Sequence, residues 1–284
     1  MNRIPLAAGL LCALGLGAGV ALANADALST VREKGVLRVA VYKDFPPYSY
    51  TDANGRMTGL DVEVGRALAE RMGVAMSLEP IPASDESMED DLRNAVWKGH
   101  YMGWGAADVM LHVPVNADFQ QRVDKVTLFA PYYRELVAIA YDKDKIPDLN
   151  SLDVFRKEKV GVEMRTVADQ YLITTESGAY INNVRHFRTP DAACAALKSG
   201  EVPALAAQRG QLEYCLGGDR ARFVVTTVPA PNVRVFEWNV GMAVRASEPG
   251  LRDALGDAME SLRQDGTLQK IFDANHVSLN APAH

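Results

Sequence analysis

The sequence is poor in residues that carry metal and redox chemistry. Its 284 residues include 3 cysteines and 5 histidines. No C-x-x-C pair and no Cys/His spacing suited to zinc occurs among them, so thiol-disulfide exchange and structural zinc are not indicated. A phosphate loop, a dinucleotide fingerprint and a Ser-His-Asp motif are missing as well, and no cofactor follows from the sequence. Runs of lysine and arginine are also lacking. With 30 basic against 36 acidic side chains and a formal net charge of -6, the chain has no cationic stripe to neutralise phosphates, which argues against a nucleic-acid partner. What is present is ordinary for a globular protein: 48% of residues are apolar, too many for a disordered chain. At about 150 residues per domain the length suits two compact units or one large one, and a small-molecule ligand stays open.

The N-terminus differs from the rest. Arg3 is its one charge, residues 6–23 hold no ionisable group except Cys12, and Ala21-Leu22-Ala23 and Ala23-Asn24-Ala25 offer small-x-small cleavage sites. Residues 1–25 therefore read as a secretory leader cleaved near Ala23 or Ala25. The alternative is an uncleaved anchor, since the run approaches the roughly 20 residues needed to span a bilayer. Leu11 before Cys12 argues against a lipid anchor. Loss of the leader removes one positive charge and leaves Cys194 and Cys215. In an oxidising compartment these two either pair, which would stabilise by roughly 3 kcal/mol, or stay as two buried thiols.

Along the chain, hydrophobic periodicity alternates between strand and helix. Val36 to Val41 reads as a half-buried strand, and Asp44-Phe45-Pro46-Pro47-Tyr48 after it as a loop. A helix opens at Asp61, with Val64, Ala67, Leu68 and Met72 on one face and Gly73 at its end. Val74 to Leu78, a helix through Asp91 to Trp97, and a strand at Asp108 to Leu111 complete a β-α-β-α-β run, which implies a parallel sheet. The pattern repeats. Strands are predicted at Glu135 to Tyr141, Lys159 to Glu163, Val184 to Phe187, Ala204 to Ala207, Arg222 to Val228 and Trp238 to Val244. Helices are predicted at Thr166 to Thr175, Asp191 to Lys198, Gly210 to Leu216, Pro249 to Arg263 and Thr267 to Asn275. Ligands of open α/β sheets bind beyond the strands' carboxyl ends, so the loops after Val41, Leu111, Glu163 and Ala207 are the ones to watch.

Several segments, in order, resemble the extracellular solute-binding proteins of family 3, the amino-acid-binding components of ABC importers. They are Leu37-Arg38-Val39 leading to Asp44 to Tyr50, Gly59-Leu60-Asp61-Val62-Glu63, and Arg122 followed by Pro131-Tyr132-Tyr133. Val160-Gly161-Val162, Gly241 to Arg245 and Leu262 to Leu268 continue the series. The resemblance implies an α/β chain of the type II periplasmic-binding-protein fold, with two α/β lobes joined by two crossover hinge strands. Lobe 1 would comprise residues 26–134 plus 240–284 and lobe 2 residues 135–239, after the leader at 1–25. Glu135 to Tyr141 and Trp238 to Val244 would be the hinge strands, and the mature chain would work in the periplasm.

The family also implies a site. An Arg with Ser/Thr groups holds the solute's α-carboxylate, an Asp on the second lobe holds the ammonium, and an aromatic residue of the first loop packs on the solute. Phe45 stands at the aromatic position, or else buries its own loop. Arg122 has the family spacing from Tyr133 for the carboxylate Arg, and a guanidinium grips carboxylates bidentately. Its alternative is a surface position in the polar segment Asn116 to Asp124. The stretch from Asp108 to Arg122 is two residues longer than the family's, and Val113-Pro114-Val115 replaces the hydroxyl residues. Thr166 falls at a helix start, a natural anion seat. Arg165, where Gly is usual, either adds an anion contact or faces solvent. Gln208-Arg209 stands in place of the ammonium-binding Asp, a poor counter-charge for an ammonium. With His112, these residues predict a cleft that leans positive and takes a solute with one or more carboxylates and little need for an ammonium seat, which disfavours an ordinary α-amino acid.

Three functions stay in play. The first is a periplasmic protein delivering a small carboxylate or amino-acid-like solute to an inner-membrane ABC permease. The second is a periplasmic dehydratase-type enzyme on the same fold, for which His112 or Glu163 could serve as acid or base. The third is an accessory of a quinoprotein (PQQ-type) alcohol dehydrogenase, because Trp97 to Gly105 with Asp108 to Pro114 resembles the divergent subgroup that accompanies such enzymes. The aromatics of Trp97 to Gly105 either wall the cleft against a planar ligand or bury their own surface loop.

Overall fold

The structure is a computed structural model that describes residues 26–83, 87–100, 105–228 and 237–283. The expected leader and Tyr101 to Trp104 of the aromatic segment lie outside the described residues.

The first half begins with α1 (Ala27–Lys34) and β1 (Val36–Tyr42), whose Leu37, Val39 and Val41 are fully buried, as their alternation requires. A small hairpin, β2 (Tyr50–Thr51) and β3 (Met57–Thr58), precedes α2 (Leu60–Arg71). Gly59 opens α2 at φ 115 with no room for a side chain, since a Cβ would lie 2.6 Å from the Tyr48 carbonyl oxygen. Then follow β4 (Ala75–Ile81), α3 (Met88–Leu92) running on as a π-helix over Arg93–Trp97, β5 (Val109–Pro114) and α4 (Ala117–Arg122).

β6 (Val126–Asp142) leads into the second half, which holds β7 (Val160–Glu163), α5 (Val167–Thr174), β8 (Val184–Phe187), α6 (Pro190–Ser199), β9 (Ala204–Gln208), α7 (Arg209–Leu216) and β10 (Phe223–Thr227). β11 (Glu237–Arg245) returns the chain to the first half, where α8 (Pro249–Gln264) and α9 (Thr267–Ala274) close it. Helix and strand boundaries differ from the sequence expectation by a few residues, with one larger exception. β6 starts at Val126, nine residues before the expected strand, because the Pro131-Tyr132-Tyr133 segment is part of the sheet.

The strands join in the order β4-β1-β5-β11-β6-β9-β7-β8, with β10 also on β6. β1 pairs in parallel with β4 and β5, and β7 in parallel with β8 and β9. β11 is antiparallel to β5 and β6, and β6 is antiparallel to β9 and β10. β6 changes partners midway: Leu136 faces Glu237 of β11, whereas Val137 faces Gln208 of β9. Apolar side chains gather separately on the two sides of that change. Leu37, Leu60, Leu68, Leu111, Leu255 and Phe272 pack on one, and Ile139, Phe155, Val160, Leu172 and Tyr180 on the other. Trp238 of β11 packs against both groups. Cys194 of α6 and Cys215 of α7 form a disulfide with Cα atoms 5.8 Å apart, so of the two alternatives left by the sequence the pair is the one present.

Candidate functional site

A cleft of about 990 Å³ opens where β1, β5, β7 and β9 end. Its wall draws on Lys43, Asp44 and Phe45 after β1, on His112 and Pro114 to Asn116 at the end of β5, on Glu163, Arg165 and Thr166 at the end of β7, and on Gln208 at the end of β9. Three of these residues, Asp44, His112 and Arg165, have left-handed backbones, with φ 58, 58 and 68. Such conformations cost non-glycine residues energy and concentrate at functional sites.

His112 owes its position to a bulge. Between β5 and β11, Val113 faces Gly241 and Met110 faces Ala243, so β5 carries one extra residue there. A bulge of this kind re-aims a side chain. The ring is 7% exposed, and its Nδ1 lies 2.9 Å from Oδ2 of Asp61, which is itself fully buried. Tyr132 donates to the other Asp61 oxygen at 2.8 Å and accepts the His112 amide at 3.1 Å. A carboxylate only accepts, so Nδ1 carries the hydrogen. Nε2 is buried with no partner among the described residues. Phe45 meets this ring edge-on at 5.0 Å and stacks at a tilt on Tyr48 at 4.9 Å, so it both buries its loop and lines the cleft.

On the facing wall, Thr166 caps α5. Its hydroxyl accepts from the Asp169 amide at 3.2 Å and donates to the Glu163 carbonyl at 2.8 Å. The amides of Val167 and Ala168, first in the helix, have no carbonyl one turn back to bond; both residues line the cleft. The Arg165 amide donates to Asp169 Oδ2 at 2.8 Å, which fixes the turn before the helix. The Gln208 amide oxygen is buried and unpartnered among the described residues. Burial alone pushes the Glu163 carboxyl up to about 6.

Two residues expected in the cleft stand outside it. Arg122 is 60% exposed, with Nε 3.1 Å from Glu89 Oε1 and its guanidinium over the Phe119 ring. Arg209 turns along α7, where its Nε pairs at 2.9 Å with Glu213, a buried carboxylate that also accepts from the Ser278 amide at 2.6 Å. The longer connection before Arg122 folds as α4, and this carries the side chain away from β5. The wall consequently does not lean positive: Asp44, Asp91, Asp118, Glu163 and Glu237 face Lys43, Arg134 and Arg165, and Arg134 is paired with Glu237.

Behind the cleft lies a carboxyl that sequence reasoning assigned only to a strand. Glu135 is fully buried, accepts from the Tyr48 hydroxyl and from the Leu136 amide at 2.9 Å, and is pushed up to about 7 by burial. It sits on β6 next to the change of partners. Tyr48 comes from the loop after β1, and its hydroxyl lies so close to Gly210 of α7 that a Cβ there would meet it at 2.3 Å. A charged residue heading the apolar run Leu136 to Ala140 was the available signal for this buried group. Asp61 and Tyr132, which hold His112, were visible only as motif members.

Comparison with known proteins agrees with the motifs. Residues 37–96 match the family model of bacterial extracellular solute-binding proteins, family 3. The L-cystine-binding protein TcyJ of Escherichia coli (strain K12) is 24% identical over 266 residues, covering 92% of this chain and 91% of its own. Cyclohexadienyl dehydratase of Pseudomonas aeruginosa is 35% identical over 71 residues, 25% of this chain and 26% of its own. Among solved structures, the ancestral cationic amino acid solute binding protein AncCDT-1 superposes with a TM-score of 0.68 at 23% identity, covering 87% of this chain and 98% of that one. The fold is that of the type II periplasmic binding proteins, and the chain is a relative of family 3. None of these matches supports the dehydrogenase-accessory reading. Among the described residues no helix is long and apolar enough to cross a membrane.

Proposed function

We propose that this relative of the family 3 solute-binding proteins is exported to the periplasm, captures a small carboxylate-bearing solute in its cleft, and hands it to an inner-membrane ABC permease. The observation that carries this reading is the cleft itself. It lies between two α/β units, at the strands' carboxyl ends, and its wall holds buried polar atoms without partners among the described residues. Buried polar atoms are normally satisfied, so a bound solute is their natural complement. Residues 26–134 with 240–284 form one lobe and 135–239 the other. β6 and β11 act as the hinge, and closure removes water from the solute. The first-turn amides of α5 and the Arg165 guanidinium hold the carboxylate, in the role that the sequence assigned to Arg122. Phe45 packs against the solute's apolar part. The disulfide suits an oxidising compartment, and TcyJ and AncCDT-1 are named as binding proteins for solutes of this class. The chain works by binding and release without turnover.

The test is gentle purification of the exported chain followed by mass spectrometry of what denaturation releases. A small carboxylate in stoichiometric amount is expected. Recovery of a reaction product from a supplied prephenate-type substrate would instead identify an enzyme.

A further inference from the structure

After α9 the chain crosses from one half of the molecule to the other. His276, left-handed at φ 57, turns it out of the helix, and the buried Val277 seats it in the apolar group of the first half. The next residue meets the second half: Ser278 donates twice to Glu213 of α7, from its amide at 2.6 Å and from its hydroxyl at 3.0 Å. Glu213 is 1% exposed, and Arg209 of the same helix is its further donor at 2.9 Å. Leu279 packs back on the first group, and the chain then runs over both strands that connect the halves. On β6, the Arg134 amide donates to the Asn280 carbonyl at 3.0 Å, and the Asn280 side chain donates to the Arg134 carbonyl at 3.4 Å. On β11, the Asn239 side chain donates to the Ala283 carbonyl at 2.8 Å and accepts from the Ala283 amide at 2.9 Å. Arg134 and Asn239 stand opposite each other in the β6–β11 ladder. One rung of the two connecting strands is thus held from outside on both strands, just ahead of Val137, where β6 takes β9 as its partner.

We propose that residues 275–283 form a hinge strap, which holds the solute-free lobes near one angle and restricts their rotation. The proposal rests on the two-lobe, solute-binding reading and adds what restrains the hinge. Hinged strands absorb a rotation in a few backbone dihedrals, and here those dihedrals lie under a segment bonded to both strands and to both lobes. Rotating α7 against the first lobe draws Ser278 from Glu213 and leaves a buried carboxylate with fewer donors, which is costly. The same rotation shears the rung at Arg134 and Asn239 away from Asn280 and Ala283. Arg134, Asn239 and Ala283 all line the cleft, so the strap also sets the cleft's resting width. A resting angle fixed by the fold determines how much rotation the binding energy of a solute has to drive.

The experiment measures the distance between the lobes by pulsed electron-electron spin resonance on the refolded, solute-free chain with its disulfide intact. The spin labels are carried on p-acetylphenylalanine in place of Arg66 of α2 and Lys198 of α6, both exposed, which leaves the cysteines untouched. The parent is compared with a chain truncated after Val277 and with Ser278→Ala/Asn239→Ala, which keeps the whole segment but loses its hydroxyl bond to Glu213 and both bonds to Ala283. The expected result is one narrow distance distribution in the parent, a distribution at least twice as wide in the truncated chain, and a widening in the double variant. Circular dichroism shows whether each variant is folded; where the truncated chain does not fold, the double variant decides. A folded variant as narrow as the parent, or a parent as wide as the truncated chain, overturns the strap. Mass spectrometry of solute released from the exported parent separates the two readings. Equal widths with a solute recovered overturn the strap alone, and equal widths with none recovered overturn the solute-binding reading as well.

Discussion

Replacing Glu135 with glutamine is expected to change how stability depends on pH. The side chain is fully buried, and its carboxyl titrates at about 7 instead of the ordinary 4.5. The folded state therefore holds the proton more tightly than the unfolded one. The stabilisation that this proton contributes is present in full below pH 4.5 and is lost as pH rises through 7. A displacement of about 2.5 units corresponds to about 3 kcal/mol. Glutamine keeps an oxygen for the Leu136 amide and a polar partner for the Tyr48 hydroxyl but does not ionise. The assay is urea unfolding of both proteins at pH 5 and pH 8 with the disulfide intact. The stability of Glu135→Gln minus that of the parent is expected to be higher at pH 8 than at pH 5 by about 2 to 3 kcal/mol. Other titrating groups cancel in this difference. An equal difference at the two pH values would refute the reasoning, since the buried carboxyl would then titrate as it does in the unfolded chain.

Other consequences follow from packing and charge. Gly210→Ala would press a methyl group against the fully buried Tyr48 ring, whose Cζ lies 3.1 Å from the Cβ position. A stability loss of about 1 to 3 kcal/mol in thermal unfolding is expected, and an unchanged midpoint would show that Tyr48 yields freely. Arg122→Ala, which breaks only an exposed pair with Glu89, is expected to leave solute affinity within about twofold, whereas Arg165→Ala removes a charge-assisted bond and costs about 1.5 to 3 kcal/mol of binding. Calorimetry of both variants with the solute recovered from the chain decides between the two arginines. Reducing the Cys194–Cys215 disulfide, whose ends are 21 residues apart, is expected to lower stability by about 3 kcal/mol in denaturant unfolding.

The architecture was largely legible because burial imposes a period on the sequence. Leu37, Val39 and Val41 alternate since one sheet face is covered, and Val64 and Leu68 follow a helical spacing for the same reason. Phe45, His112, Arg165, Thr166 and Gln208 line one cleft, from its two facing walls, because each stands at or just after the carboxyl end of a strand. Arg122 and Arg209 were misplaced for a common physical reason: spacing along the chain says nothing of which acid a long, flexible cation will meet. Glu89 and Glu213 lie 33 residues away in one case and 4 in the other, and both pairs turn the guanidinium from the cleft. The start of β6 was hidden by Pro131, which argues against a continuous strand. Glu163 was seen as an acid or base, yet the burial that raises its carboxyl is a property of the packed cleft and has no signature in sequence.

The most direct test of the central claim is titration of the solute-free exported chain with the molecule that mass spectrometry recovers from it, followed by analysis of that molecule after binding. The predicted result is one solute per chain, bound saturably and released unchanged. At a hundred times its dissociation constant it is expected to raise stability by about 2.7 kcal/mol. Binding that survives undiminished in Arg165→Ala, or a solute converted to a different molecule, would contradict it.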